Sequence, residues 1–230
     1  MKDAAIHLGI QVGFNEELDN IKSSITEIEP ELSGIFDFGT IMRSANTGKF
    51  SMYMLPGVVE EYNGSVVVSE DGREVTTTEK TIRILEKEKM VSEAPDWRNY
   101  LYQDQKVTVQ EPFDAVLPEN DSEQQLWQKW LLEGYEIGLS QANAEVIAKA
   151  RKLRLNFTGR VKYIRYSLTK NITVPEMSYF KTDLITSDNE MSINQRKYTL
   201  NQGAKFNPDT GEWEILFLDN REGFRNDSEK

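Results

Sequence analysis

The sequence predicts an α+β fold, with N-terminal helices and one long central helix packed with antiparallel β-hairpins. Three observations lead there. Apolar residues recur at intervals of three and four over 3–28, and helical periodicity returns without a proline from 121 to about 168. Between those blocks, and again after the second, the period drops to two. Helices and strands therefore come in separate runs, which argues against alternating βαβ units.

Taken in order, the first helix carries Ile6, Ile10, Phe14, Leu18, Ile21, Ile25 and Ile28, and Pro30 should break or restart it. A second helix is expected over 31–42, carrying Leu32, Ile35, Phe36 and Ile41, so that 3–43 is helical throughout. Strands follow over 49–91, three or four of them, with Asp71-Gly72 as the hairpin signal between a Val run and a Thr run. The stretch 92–120 reads as a Pro-punctuated connection holding the aromatics Trp97, Tyr100 and Tyr102. Asp121 with Gln124 resembles a capping box for the long helix, 121–169. At 1.5 Å per residue such a helix is ~70 Å long, so we expect it to bend near Gly159 or to project. The C-terminal strands fall in 172–218 (172–185, 191–200 and 213–218, the last after a turn at 207–211), and 222–230 is a polar tail. One domain over 1–221 accommodates all of this.

Composition narrows the function. Among 230 residues, 4 Trp, 9 Tyr and 10 Phe supply enough bulky apolar mass for a packed core. The formal net charge of −11 opposes direct nucleic-acid binding, which depends on clustered cations, and the basic run 149–154 reads as a solvated helix face. Without cysteine there is no disulfide, thiolate nucleophile or Cys-ligated metal. No run of 18 apolar residues is present, and the N-terminal residues lack the apolar stretch of an uncleaved signal peptide. If the protein is exported, Met1 is expected to start a form trimmed of its leader.

Catalytic and metal chemistry find few residues to use. His7 is the sole histidine, so it alone would have to serve any Ser-His-Asp or Cys-His arrangement. Carboxylate pairs are plentiful, and Glu133 or Glu136, near Trp130 and Tyr135, come nearest to a general acid beside an aromatic. The turn 207–212 alternates oxygen-bearing side chains but lacks calcium-loop spacing. We expect no enzyme activity, no cofactor and no metal. Gly134 and Gly138 stand inside the long helix, where each costs about 1 kcal/mol relative to alanine. Close approach of another backbone compensates that cost. With Trp127, Trp130 or Leu131, and Gln141 or Ala142, they mark a helix-packing face, most simply against the N-terminal helix and its Gly9 and Gly13, a partner helix being the alternative.

The order of segments resembles the DotC family of type IVB secretion and conjugation systems. The resemblance rests on 32–38 (Leu-Ser-Gly-Ile-Phe-Asp-Phe), 54–59 (Met-Leu-Pro-Gly-Val-Val) and 94–101 (Ala-Pro-Asp-Trp-Arg-Asn-Tyr-Leu). It continues through Leu117-Pro118, Glu123, Trp127, the stretch 133–143 around Gly134, Gly138 and Gln141, Arg154-Leu155, Gly159, Tyr163, Val174-Pro175 and 191–194, in unbroken order over about 3–218. Tyr135 stands where such proteins usually have Trp, Gly57 replaces a second proline, 156–158 is Asn-Phe-Thr, and the family's lipid-modified cysteine is absent. The resemblance implies a structural part of a multi-copy, ring-shaped outer-membrane core complex, in the periplasm at the inner face of the outer membrane. There, with a DotD-like lipoprotein, it would position a DotH-like partner, its own membrane attachment being a lipid anchor this chain lacks. A structural part works through apolar and aromatic surfaces, and Trp97, Tyr100, Tyr102, Ile193 and Trp213 are the candidate partner interface. The alternatives are a periplasmic enzyme acting on peptidoglycan and a peptide-binding adaptor built on Trp97 and Tyr100.

Overall fold

The computed structural model describes residues 1–44, 52–102 and 106–214. The fold is α+β, with helices and antiparallel sheets in separate runs. Contacts gather the chain into two compact units, each discontinuous in sequence. The first comprises Met1–Thr40 with Ala94–Phe157, the second Ile41–Glu93 with Thr158–Lys230.

The first unit is helical. Helix α1 spans Lys2–Glu27. The chain leaves it at Ile28 and restarts as α2, Glu29–Ile35, with Pro30 in the first turn, where a missing N–H loses no hydrogen bond. The helix expected over 31–42 is instead divided: α2 ends at Ile35, and α3 is a separate turn over Phe38–Ile41. The reason lies at Asp37, whose Oδ1 accepts from the Gly39 N–H (2.8 Å) and whose carbonyl accepts from the Thr40 hydroxyl (2.8 Å). Such local bonds offer the backbone an alternative to helix. The break also brings Phe36 and Phe38 edge-on to the same ring, Phe157, at 5.5 and 5.2 Å between centroids, which two residues so spaced on one helix would not achieve.

Short helix α4 covers Arg98–Leu101, and α5 runs unbroken over Asp121–Leu168, its residues from Thr158 onward belonging to the second unit. The start of α5 is capped one residue earlier than the sequence suggested. Asn120 Oδ1 accepts from the Glu123 N–H (3.0 Å), and the Glu123 carboxylate in turn accepts from the Glu119 N–H (2.9 Å).

In the second unit, β1 (Arg43–Ser44), β2 (Tyr53–Leu55) and β5 (Lys89–Val91) form a small antiparallel sheet in the order β1-β2-β5. Strands β3 (Val58–Val68) and β4 (Val75–Glu86) make a hairpin whose turn holds Gly72 at φ +67°. The sequence expected one strand over 172–185. Pro175 cannot donate to a ladder, and the stretch is split into β6 (Ile172–Thr173) and β7 (Met177–Thr186). Strand β7 pairs with β8 (Met191–Leu200), and β6 with β9 (Lys205–Phe206). Trp213 and Glu214 are not in a strand; the rest of the strand expected over 213–218, and the polar tail, lie outside the described residues. The core here is Val59, Tyr163, Tyr166, Ile172 and Ala204, with Ile82 and Ile84 against it.

Candidate interaction surfaces

In the first unit, α1 and α5 meet backbone to backbone. Gly9, Gly13, Gly134 and Gly138 are all buried. A Cβ on Gly138 would lie 2.7 Å from the Phe14 amide nitrogen, and one on Gly134 2.8 Å from the Ile6 carbonyl carbon. On the other side, a Cβ on Gly9 would lie 2.8 Å from the Tyr135 nitrogen. Only glycine leaves room for this approach, and its packing offsets the helix-interior cost. Trp127 and Trp130 are half-buried, and Ala142 is fully buried. Of Gln141 and Ala142, the two residues offered for this face, Gln141 is exposed and Ala142 takes the buried position. Leu8, Gly9, Val12, Leu131, Leu132 and Tyr135 line an open apolar groove of about 510 Å³ along the same helix pair.

Within 97–102, Trp97 and Leu101 are buried, and Tyr100 and Tyr102 are half-buried. Trp97 is 2% exposed, its indole N–H donates to Ser33 Oγ (3.0 Å), and the Arg98 guanidinium lies 4.3 Å from its ring centroid. Tyr100 is half-buried, and Phe38 stacks on it at 5.9 Å. Tyr102, also half-buried, donates to Glu29 Oε1 (2.8 Å), while Arg98 donates to Glu29 Oε2 (2.7 Å). Those bonds, Arg98's first and then Tyr102's, hold the Glu29 carboxyl below the usual carboxylate range. Pro95 and the Asp96 side chain, which accepts from the Arg98 N–H (2.8 Å), fix the local backbone and aim the rings at α2. Trp97 and Tyr102 are thus held against α2 by hydrogen bonds to Ser33 and Glu29.

The second unit is pinned by a polar cluster that sequence reasoning did not find. From α5, Arg160 (2% side-chain exposure) donates to the Pro56 carbonyl and pairs with Glu86 at 2.9 Å. Tyr163 donates to Glu88, and Tyr166 to Glu61. Glu61 also meets Lys162 (3.0 Å) and Lys80 (3.3 Å). Burial works to raise the Glu61 carboxyl, but the bonds from Tyr166, Lys162 and Lys80 outweigh it and bring it to about 2. Its contribution to stability is therefore complete above the ordinary value of 4.5 and is lost as pH falls toward 2. Glu88 goes the other way. Burial is the larger effect, exceeding the Tyr163 bond, and its carboxyl is pushed up, with Oε2 lacking a partner among the described residues. Burial and then the bond to Glu88 also raise the Tyr163 hydroxyl.

Beyond this cluster the hairpins carry apolar side chains into solvent. In β7–β8 no residue is buried. Phe180 is 69% exposed, Tyr179 68% and Ile193 67%, with Leu184 directly opposite Ile193. The end of β3–β4 does the same with Val66, Val67, Val68 and Val75. Of the sequence candidates, Ile193 lies on this surface. Trp213 is half-exposed, its indole donating to the Asn207 carbonyl (3.1 Å). The other hairpin residues were missed, although 177–186 does place aromatic and aliphatic residues side by side without the clean alternation of a half-buried strand.

The residues weighed for chemistry are spread apart in use. His7 is exposed, its Nδ1 3.1 Å from Gln11 Nε2. Glu133 and Glu136 are exposed on α5. In the turn 207–212, Asn207 Oδ1 accepts from the Asp209 N–H (3.0 Å) and Asp209 Oδ1 from the Gly211 N–H (2.9 Å), so those oxygens shape the turn. No helix among the described residues is long and apolar enough to cross a membrane.

A family model described as "Type IV secretory system, conjugal DNA-protein transfer" covers residues 1–215. No curated protein matches. The chain belongs to this family of type IV secretion and conjugation proteins.

Proposed function

We propose that this conjugal-transfer protein is a non-catalytic, DotC-type structural component of the outer-membrane core complex of a type IVB system. In this reading it sits in the periplasm at the inner face of the outer membrane, in multiple copies, and with a DotD-like lipoprotein positions a DotH-like partner. The observation that carries the reading is the β7–β8 hairpin. A two-stranded hairpin by itself is marginal in water, and each large apolar side chain on it gains roughly 1.5–3 kcal/mol only when something covers it. Phe180, Leu184, Met191 and Ile193 share one strand parity in the register of this hairpin, so they offer a partner one face. Phenylalanine and methionine are also side chains that protein interfaces favour.

The test is fractionation. In cells lacking the gene, the DotH-like protein should leave the outer membrane, and wild-type protein should restore it. A Phe180→Asp, Ile193→Asp double variant should accumulate with normal helical content yet fail to restore it. An unaltered outer-membrane location in the deletion strain contradicts the proposed role.

A further inference from the structure

Helix α1 carries a polar stripe at four-residue spacing, Gln11, Asn15 and Asp19, and a strap of extended chain over 106–110 lies along it. Asn15 reads one peptide residue twice: its Nδ2 donates to the Val107 carbonyl (2.7 Å), and its Oδ1 accepts from the Val107 N–H (2.9 Å). One turn towards the N-terminus, Gln11 Oε1 accepts from the Gln110 N–H (2.8 Å). One turn the other way, Asp19 pairs with the Lys106 ammonium at 2.8 Å. Gln11 is 5% exposed and its amide nitrogen lies against His7, which orients its oxygen toward the strap. Strap residues 106–110, by contrast, are all exposed, and Val107 and Val109 keep 43% and 42% of their surface. The strap is thus held by its main chain and one cation, with little apolar burial to retain it.

We propose that the Gln11–Asn15–Asp19 face is a receptor for an extended peptide segment, filled in the isolated chain by its own strap and exchangeable for a segment of a partner protein. Its recognition is chemical and specific in two respects. The partner segment presents free main-chain N–H and C=O groups, as peptide-receptor grooves require. It also carries Lys or Arg one residue before the peptide unit that Asn15 reads, because Asp19 offers a carboxylate there. The identity of its other side chains matters little. The inference stands on α1 geometry and goes beyond the assembly role proposed above.

A fluorescent, capped peptide of residues 106–111 is the probe. It is titrated against the full chain with 106–110 replaced by glycine and serine, the helix content of which is checked by circular dichroism. Saturable binding is expected, weakened about tenfold by Asn15→Ala, the scale of one or two lost hydrogen bonds, and weakened also when the peptide's lysine becomes glutamate. The wild-type chain, with its strap in place, should bind the same peptide more weakly than the Gly/Ser form. A folded Gly/Ser form that does not bind, or that binds equally well with Asn15→Ala, overturns the proposal. Should that form not fold, amide exchange on the wild-type chain decides: the Val107 and Gln110 amides must open well before those in the middle of α1, and exchange only by global unfolding rules the strap out as exchangeable. This result is independent of where a DotH-like protein fractionates, so either proposal can fail alone.

Discussion

The two ends of α5 are held by opposite chemistry. Over 134–138 the helix is packed through Gly134 and Gly138 directly against the α1 backbone at Ile6, Ile10 and Phe14. Over 160–166 it reaches β-structure through Arg160, Tyr163 and Tyr166, long polar side chains that end on Glu86, Glu88 and Glu61. The first contact tolerates no added atom. The second tolerates no lost partner, since a buried donor or acceptor left alone costs the full desolvation of that group.

The largest effect should come from breaking the polar end. Arg160→Ala removes a buried guanidinium and leaves the buried Pro56 carbonyl without it, and should destabilise the second unit by about 3 kcal/mol, read from denaturant midpoints at unchanged m. A loss below ~1 kcal/mol would mean that Arg160 only fills space. Next, Gly138→Leu should cost ~1–3 kcal/mol by overpacking against Ile10 and Phe14. Its control is Gly34→Ala on α2, where nothing outside the local helix backbone lies within 4 Å of the new Cβ; that change should be neutral or slightly stabilising. Equal effects at the two glycines would show that close approach is not what Gly138 supplies.

The smallest effect sharpens the polar end further. Because burial raises the Glu88 carboxyl, its proton is held more tightly folded than unfolded, and the stability linked to it is present at low pH and lost as pH rises through the folded-state value. Glu88→Gln keeps an acceptor for Tyr163 and removes that loss. Its melting temperature should exceed wild type by a few degrees at pH 7 and by less at pH 4. A gain equal at both pH values would trace the change to packing instead of charge.

Those two ends also differ in how far they could be read beforehand. Gly134 and Gly138 are conspicuous because glycine is costly inside a helix, so a four-residue spacing of two such residues calls for a close neighbour, and Gly9 and Gly13 on α1 supply it. Arg160, Tyr163 and Tyr166 carry no such mark: polar residues at helical spacing look like a solvated face. Their partners stand 74, 75 and 105 residues away in the chain. Trp97 is the converse case. In a Pro-bounded segment it was a candidate partner contact, whereas it is 2% exposed, with Ser33 and Arg98 against its ring. Two of the interface candidates, Ile193 and Trp213, are exposed among the described residues.

By itself the sequence determined the α+β class, the span of α5, the Asp71-Gly72 hairpin and the glycine face, because periodicity, turn chemistry and the helix cost of glycine are local properties read over a few residues. Only the tertiary structure decided which polar residues are buried in pairs, which aromatics are enclosed, which hairpins are left uncovered, and that 106–110 lies along α1. Each of these depends on contacts between residues far apart in the chain, and burial, not residue type, sets whether a side chain is core, cluster or surface.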